Sequence, residues 1–211
     1  MLRFRAREPV SGYTHLGGLL LGSAGAIWLL TRAESAGRLL PLAVYAASLI
    51  ALFAASSAYH LVPGSEALTR RLRKLDHSAI FLFIAGTCTP VFVRAFEGAT
   101  LVWMLGAAWG LAALGIAARV TWMGAPRALY TLMYVALGWL VVVEGRTALH
   151  ALPLAVVVLV AAGGLTYMAG ALVYATKRPD PVPGVFGFHE IWHIFVLGGS
   201  ALHYAAITAL S

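Results

Sequence analysis

Two histidines near the carboxyl end of the sequence are spaced so that one helix would present both to the same metal ion. His189 and His193 stand at positions i and i+4, which places them on one helix face about one turn apart. His60, at the end of an earlier apolar run, could supply a third nitrogen from a second helix. Three neutral imidazoles with one open position are the ligand set of a catalytic zinc site. Together they predict bound zinc, whereas each histidine alone would more often be an interfacial hydrogen-bonding residue.

Ser56 and Asp76 fall near the same predicted depth as the histidines and could take part in hydrolysis. Ser56 precedes His60 by four residues and shares its helix face, while Asp76 opens the next apolar run. A carboxylate there could accept a proton from water and pass it to a leaving nitrogen. A hydroxyl could hydrogen-bond a developing oxyanion. Asp76 and Ser56 are therefore the candidate catalytic residues; the alternatives are a helix N-cap for Asp76 and a small packing residue for Ser56.

Residues 189–193 also match the H-E-x-x-H pattern, in which zincin proteases place two metal ligands and a glutamate base on one helix. The longer metzincin pattern needs a histidine six residues after the second ligand, and this chain has Gly199 there. No acidic residue follows Glu190, and its carboxylate would be stabilised near a helix N-terminus without any catalytic role. An intramembrane metalloprotease is therefore the least favoured enzyme class.

The helices that must position these residues are membrane spans. The chain has 211 residues, of which 61% are hydrophobic and 11% charged, and its mean hydropathy is +0.85. Soluble domains carry roughly 25% charged residues, so a soluble protein is excluded. Each apolar run is close to the ~20 residues that cross a bilayer. These runs predict a single all-α domain, 1–211, with seven transmembrane helices near 13–31, 39–60, 77–93, 99–118, 128–143, 151–175 and 187–210.

The basic residues predict the orientation of the chain in the membrane. Of the 15 Lys and Arg residues, the larger share falls on the side of the amino terminus. The positive-inside rule then places the amino terminus in the cytoplasm, the carboxyl terminus outside and the histidines near the cytoplasmic face. The residues counted on the inner side are Arg3, Arg5, Arg7, Arg70, Arg71, Arg73, Lys74, Arg119, Arg127, Lys177 and Arg178.

The loop 61–75 has a pattern of its own. Leu68, Leu72 and Leu75 recur at helical spacing with basic residues between them. This favours a short amphipathic helix on the inner membrane surface, where basic groups meet anionic headgroups. The alternative is a solvated basic turn that only fixes topology.

Three motifs in this order resemble the hemolysin III family, the bacterial branch of the progestin and adipoQ receptor (PAQR) group. They are the segment 56–60, the segments 75–78 and 84–90, and the segment 189–193 followed by His203. Glu8, Gly12 and His15 are similar to the amino-terminal pattern of that family. The resemblance covers nearly the whole chain and implies seven membrane helices with a cytoplasmic amino terminus.

The same resemblance implies a function. Zinc would be held by the three histidines, with Asp76 beside the water that the metal activates and Ser56 as the motif serine. The motif pattern is similar to that of alkaline ceramidases, which implies zinc-dependent hydrolysis of a lipid amide, with ceramide as the substrate type. This sequence has almost no amino-terminal extension, unlike the animal receptors. We therefore expect a multi-pass protein of the bacterial inner membrane rather than a hormone receptor.

Two other classes of function stay open beside an enzyme. A receptor-like protein would hold zinc structurally and show no turnover. A membrane-lytic protein would account for the hemolysin name, although the predicted spans carry almost no polar stripe that could line a pore. We expect a membrane lipid as the partner and no nucleic acid, because the topology accounts for the basic residues; the sequence points to no particular protein partner.

Overall fold

The computed structural model describes residues 6–211, which are helical over most of their length. Arg3 and Arg5, which entered the predicted charge count, lie outside the described residues. A 3₁₀ segment, Leu140–Glu144, joins the fifth and sixth helices. In chain order the helices are α1 Pro9–Thr31, α2 Ala36–Leu61, α3 Glu66–Ala95, α4 Gly98–Thr121, α5 Arg127–Gly138, α6 Gly145–Ala151, α7 Leu154–Thr176 and α8 Phe188–Thr208.

Seven helical units within the described residues are long and apolar enough to cross a membrane. Six of them are single helices, and the fifth is the unit Arg127–Ala151, which comprises α5, the 3₁₀ segment and α6. The prediction of an all-α protein with seven membrane spans is therefore confirmed. The first five spans extend beyond the predicted runs, because hydropathy marks only the apolar part of each helix. Helix α7 begins three residues later than predicted, and α8 begins one residue later and ends two residues earlier than its predicted run.

Helix α3 differs from the prediction for the basic loop. Its first turns contain the basic residues, and the helix continues for 30 residues without a break. At ~1.5 Å per residue it is ~45 Å long, more than the ~30 Å hydrocarbon core requires. Ser65 caps it, because the Ser65 hydroxyl accepts a hydrogen bond from the Leu68 amide at 3.3 Å. The basic segment is therefore the extended start of the third span, not a separate surface helix, and Asp76 lies inside the helix rather than at its N-cap.

Arg119 also departs from its predicted setting. The sequence assigns it to a basic loop on the inner side, but it lies in the last turn of α4 and is only 1% exposed. Its guanidinium carbon lies 4.1 Å from the centre of the Tyr130 ring, a cation–π contact. Hydropathy could not reveal this burial, because an arginine at the end of a span ordinarily extends to the aqueous interface.

Helix α1 packs against both α2 and α8, which brings the first and last helices together. Helix α2 packs along both α1 and α3, α7 packs along α8, and α8 also contacts α1. Gly12 of α1 lies against the end of α2, where a Cβ atom would come 2.4 Å from the Leu61 side chain. A small residue is needed there, because it lets the helices approach closely. This contact holds the start of α1 beside His60.

The orientation of the chain in the membrane stays a prediction, and reporter fusions would test it. We expect a reporter that is active only in the periplasm to be active when fused after Ser211 and inactive when fused near Arg70. The reason is the excess of basic residues on one side. A cytoplasm-active reporter at the same two positions should give the reverse result. Periplasmic activity at Arg70 would contradict the assignment and move the histidines to the outer face.

Candidate metal centre

The three histidines that the sequence singles out converge at one end of the helix bundle. His60 lies in the last turn of α2, and His189 and His193 lie in the first turns of α8. Each offers a ligand atom that lies within 4.8 Å of those of the other two. The ring centroids are separated by 4.8 to 5.2 Å. Two helices therefore present three imidazoles to one point, and binding of a metal there stays a prediction.

The unpartnered nitrogens of these rings fit a metal ion. His60 is 1% exposed, and its Nε2 atom has no hydrogen-bond partner among residues 6–211. The Nδ1 atom of buried His193 also lacks one. A buried polar atom left unpaired typically costs ~1–3 kcal/mol. Since imidazole nitrogen is a preferred zinc ligand, a zinc ion would satisfy these atoms.

Glu8 is the main residue of the centre to which sequence reasoning gave no role. One of its carboxylate oxygens, Oε2, lies 2.8 Å from His60 Nδ1 and 2.9 Å from His189 Nδ1. These are close polar contacts, although neither has the alignment of a hydrogen bond. Carboxylates beside the far nitrogen of a ligating histidine orient the ring and raise its basicity. Glu8 is the only acidic residue before the first span, and that isolation is the signal that could have pointed to it.

The electrostatics of Glu8 suit this position. Burial raises the pKa of its carboxyl, but the neighbouring His189 and His60 outweigh burial and hold that pKa well below its usual range. Glu8 is therefore an anion at neutral pH. A negative charge beside two imidazoles favours the binding of a cation on their other side.

Arg7 fixes the position of the backbone next to Glu8. Its side chain donates hydrogen bonds to the carbonyl oxygens of Tyr59 and Val62, and also contacts Thr69. Its backbone amide donates to the carbonyl oxygen of His60 at 3.1 Å. These bonds satisfy carbonyl groups at the end of α2 that have no partner inside the helix. They tie the segment before α1 to the helix end that carries His60.

Glu8→Gln is expected to weaken zinc binding by ~10–100-fold, the range for groups that orient metal ligands. The amide keeps the size of the side chain but removes the negative charge from beside His60 and His189. Competition with a chromogenic chelator would measure the affinity. Glu66→Gln is the matched control, because Glu66 is exposed at the start of α3 and, among residues 6–211, forms an ion pair only with Arg70. Equal affinity in the Glu8 variant and the wild type would contradict the role given to Glu8.

His15 and Ser56 form a buried pair beside His193. His15 Nδ1 lies 2.8 Å from Ser56 Oγ, and the His15 and His193 ring centroids are 4.0 Å apart. From its place near the start of a span, His15 would be interpreted as a plain interfacial residue, but this interpretation is wrong because His15 is only 3% exposed. Its place inside the first apolar run was the available signal. Ser56 is not merely a packing residue, because its hydroxyl takes part in this pair.

A polar cavity of about 40 Å³ opens beside the histidines. Both predicted catalytic residues, Asp76 and Ser56, line it, and so do two of the three predicted metal ligands. His60 is not among the residues that line the cavity. The polar side chains that line the cavity are His15, Ser56, Asp76, His77, Tyr130, Thr131, Tyr134, Tyr174, His189 and His193, with Trp192 beside them. The cavity can therefore hold a small polar group in contact with both a carboxylate and imidazoles.

A larger apolar cavity of about 110 Å³ adjoins the polar one. The two cavities share five lining residues: Leu52, Ile80, Tyr134, Trp192 and Val196. The larger cavity extends between α3, α5, α7 and α8 and is lined mainly by aliphatic and aromatic side chains. Buried Cys88 lies on its wall as a free thiol. His203 is also on this wall, stacked on Tyr167 at 5.4 Å and outside the histidine cluster.

Glu190 is engaged in starting α8. Its Oε2 accepts a hydrogen bond from the Gly187 amide at 2.8 Å, and its Oε1 accepts one from the Ser11 hydroxyl at 3.1 Å. Its ligand atom also lies within 4.8 Å of those of Glu8 and His189, a second, less buried group of possible ligands. A carboxylate held by these two donors is poorly placed to act as the base of a zincin, which weighs against the peptidase alternative.

Comparisons with known proteins agree with this architecture. A model of the family described as "Haemolysin-III related" matches residues 4–204. The chain is 32% identical to Hemolysin-3 of Bacillus cereus, over 98% of this chain and 93% of that protein. It is 29% identical to a Hemolysin-3 homolog of Bacillus subtilis (strain 168), over 95% of this chain and 92% of that protein.

A plant protein extends the comparison beyond bacteria. The chain is 32% identical to the heptahelical transmembrane protein ADIPOR2 of Oryza sativa subsp. japonica, over 65% of this chain and 66% of that protein. This match is consistent with the PAQR relationship that the motifs suggested. With the family model covering nearly all of the sequence and seven helices that can span a membrane, the chain belongs to the hemolysin III family of the PAQR group.

Proposed function

We propose that the protein is a zinc-dependent hydrolase of lipid amides, with ceramide-like lipids as the substrate type, in the bacterial inner membrane. The observation that carries this proposal is the junction of two cavities. A polar cavity lined by Asp76, His189 and His193 adjoins an apolar cavity inside the helix bundle. A lipid amide has the same division, since a polar amide group is joined to a long apolar chain.

His60, His189 and His193 would hold the metal, and Glu8 would orient the first two rings. When bound there, zinc would polarise the amide carbonyl as a Lewis acid and lower the pKa of water towards ~7. The histidines bring no net charge in their neutral form, so the cation keeps its full Lewis acidity.

Asp76 would carry the proton that the reaction must move. It would accept a proton from the attacking water and deliver it to the departing nitrogen. The water oxygen forms a bond to the carbonyl carbon, and the carbon–nitrogen bond breaks. The products are a fatty acid and an amine. Asp76 can take this role because it lines the cavity and, within α3, is not used as a helix cap.

Ser56 has a constraint that the sequence did not reveal. Its hydroxyl can donate a hydrogen bond to a substrate oxygen only when His15 Nδ1 carries a proton and donates to Ser56 Oγ. A neutral imidazole carries one ring proton. The Nε2 atom of His15 lies 3.4 Å from the carbonyl oxygen of His193, which can only accept a hydrogen bond. The ring proton of neutral His15 is then on Nε2, and Ser56 donates to His15 Nδ1. The oxyanion contact predicted for Ser56 therefore requires the opposite tautomer of His15.

Purified protein offered lipid amides of different chain length would test the proposal. We expect zinc-loaded protein in nanodiscs to hydrolyse an N-dodecanoyl amide faster than the N-acetyl amide of the same amine, because the longer chain fills the apolar cavity. Chelation should abolish turnover and zinc should restore it. Protein that holds zinc firmly but hydrolyses no lipid amide of any length would contradict the proposal and favour a receptor-like role with structural zinc.

A membrane-lytic activity is the second candidate, because the Bacillus cereus relative is named Hemolysin-3. Release of a trapped dye from liposomes would detect it. Dye release that persists in the His189→Ala/His193→Ala variant would separate lysis from the metal centre. Dye release only from the metal-binding form would instead connect lysis with lipid hydrolysis.

A further inference from the structure

A buried arginine without an acidic partner lies beside the polar cavity. Arg119 is almost fully buried, and among residues 6–211 it forms no ion pair. Its Nε and Nη1 atoms have no hydrogen-bond partner there. Burying a charge without a paired carboxylate destabilises a protein, and the cation–π contact with Tyr130 offsets only part of that destabilisation. A contact made by the third guanidinium nitrogen, Nη2, would explain why Arg119 is buried beside the cavity.

That third nitrogen lies 2.5 Å from Nδ1 of His77. A guanidinium can only donate hydrogen bonds, so Nδ1 of His77 must accept. A neutral imidazole has one ring proton, which then lies on Nε2. Tyr134 also holds this residue, because its hydroxyl donates to the His77 carbonyl oxygen at 3.2 Å. The contacts of Arg119 and Tyr134 therefore fix both the tautomer and the position of His77.

The fixed Nε2–H group of His77 is available to a ligand. His77 lines the polar cavity together with Asp76 and Ser56. Within residues 6–211 the only hydrogen bond of its ring is the one from Arg119. The cavity therefore has a donor in its wall that no side chain in the described part of the chain uses.

We propose that His77 donates a hydrogen bond to the acyl oxygen of the lipid in this cavity, and that Arg119 is the positioning residue that holds His77 in the donating tautomer. The effect of His77 on the reaction rate rests on the proposed function, whereas its hydrogen bond to an acyl oxygen does not. The ligand class is an acyl group, the carbonyl of an amide substrate or the carboxylate of the product. A preorganised donor aimed at an oxygen that gains negative charge stabilises the transition state more than the ground state. His77 thus takes the donor role that the sequence gave to Ser56, whose hydroxyl is paired with His15.

Nitrogen-15 NMR of the histidine rings would test the tautomer without any turnover. The His77 signals are assigned by comparison with the His77→Gln variant. We expect the Nε2–H tautomer in wild-type protein and a mixture of tautomers in Arg119→Met, where no donor faces Nδ1. Arg119→Lys should retain most of the Nε2–H form, because an ammonium group also donates. An Nδ1–H tautomer in the wild type would overturn the proposal.

Kinetics and binding test the donor itself. His77→Phe keeps the ring but lacks the donor, and we expect kcat for the N-dodecanoyl amide to fall by ~10²–10³-fold, the usual loss for one oxyanion donor. KM and zinc content should change little, and His77→Gln, which retains an N–H donor, should recover part of kcat. His150→Phe is the control, because His150 is exposed at the end of α6. An unchanged kcat in folded His77→Phe would overturn the proposal.

A binding measurement separates this proposal from the proposed function. If the wild type hydrolyses no lipid amide, the proposed function fails, and dodecanoate becomes the probe of the donor. We then expect His77→Phe to bind dodecanoate at least several-fold more weakly than the wild type and His77→Gln to bind it nearly as well. Equal dodecanoate affinity in all three proteins would overturn the role of His77. If His77→Phe does not fold, the NMR measurement tests the proposal instead. The tautomer of His77 is then compared between the wild type and Arg119→Met, with His77→Gln used to assign the signals.

Discussion

Replacing His60, His189 or His193 by alanine is expected to remove nearly all bound zinc from the purified protein. Wild-type protein should carry about one zinc per chain, because three imidazoles converge on one point. Loss of one of three protein ligands should lower the affinity by more than the ~10–100-fold that is typical of groups behind the ligands. Elemental analysis after size-exclusion chromatography would measure both zinc and the integrity of the fold.

His203→Ala provides the matched control for this experiment. His203 is a buried histidine on the same helix as two of the ligands, but it lies ten residues beyond His193, ~15 Å along the helix axis. We expect this variant to keep its zinc. Full zinc occupancy in a folded His189→Ala/His193→Ala double variant would show that the metal is bound elsewhere and that the assigned centre is wrong.

Asp76→Asn is expected to lose lipid-amide hydrolysis while it keeps zinc. The three histidines hold the metal without Asp76, whose proposed task is to move protons between water and the departing nitrogen. Asparagine keeps the size of the side chain but has no basic carboxylate. Removal of a general base typically lowers the rate by ~10²–10⁴-fold. Rates at saturating substrate, compared with zinc content in the same preparation, would measure the separation between catalysis and metal binding.

The matched control for Asp76 is Glu97→Gln, since Glu97 is an exposed carboxylate before α4, at the other end of α3 from the site. It should retain both rate and zinc. Two results for Asp76→Asn would count against its role. Loss of zinc would make Asp76 a ligand and change the coordination proposed here. A wild-type rate would leave the carboxylate without a catalytic function.

The sequence by itself determined the spans and the ligand pattern. Seven apolar runs predicted seven membrane helices, because in lipid each spanning segment must satisfy its own backbone hydrogen bonds and so must be helical. The i, i+4 spacing of His189 and His193 placed both on one face of α8, because helical periodicity is a local property. His60 could be placed at the same depth in the membrane as these two histidines, because the position of a residue along a span gives its depth.

Tertiary structure decided which residues surround those histidines. Glu8 contacts His60 and His189 across 52 and 181 positions of sequence, and no local pattern encodes such a contact. His15 reaches Ser56 only because α1 packs closely on α2. Arg119 becomes a buried partner of His77 because α3 and α4 pack together. Sequence periodicity gives the depth and face of each side chain within its own helix, whereas the neighbouring helix and its rotation depend on packing between distant segments.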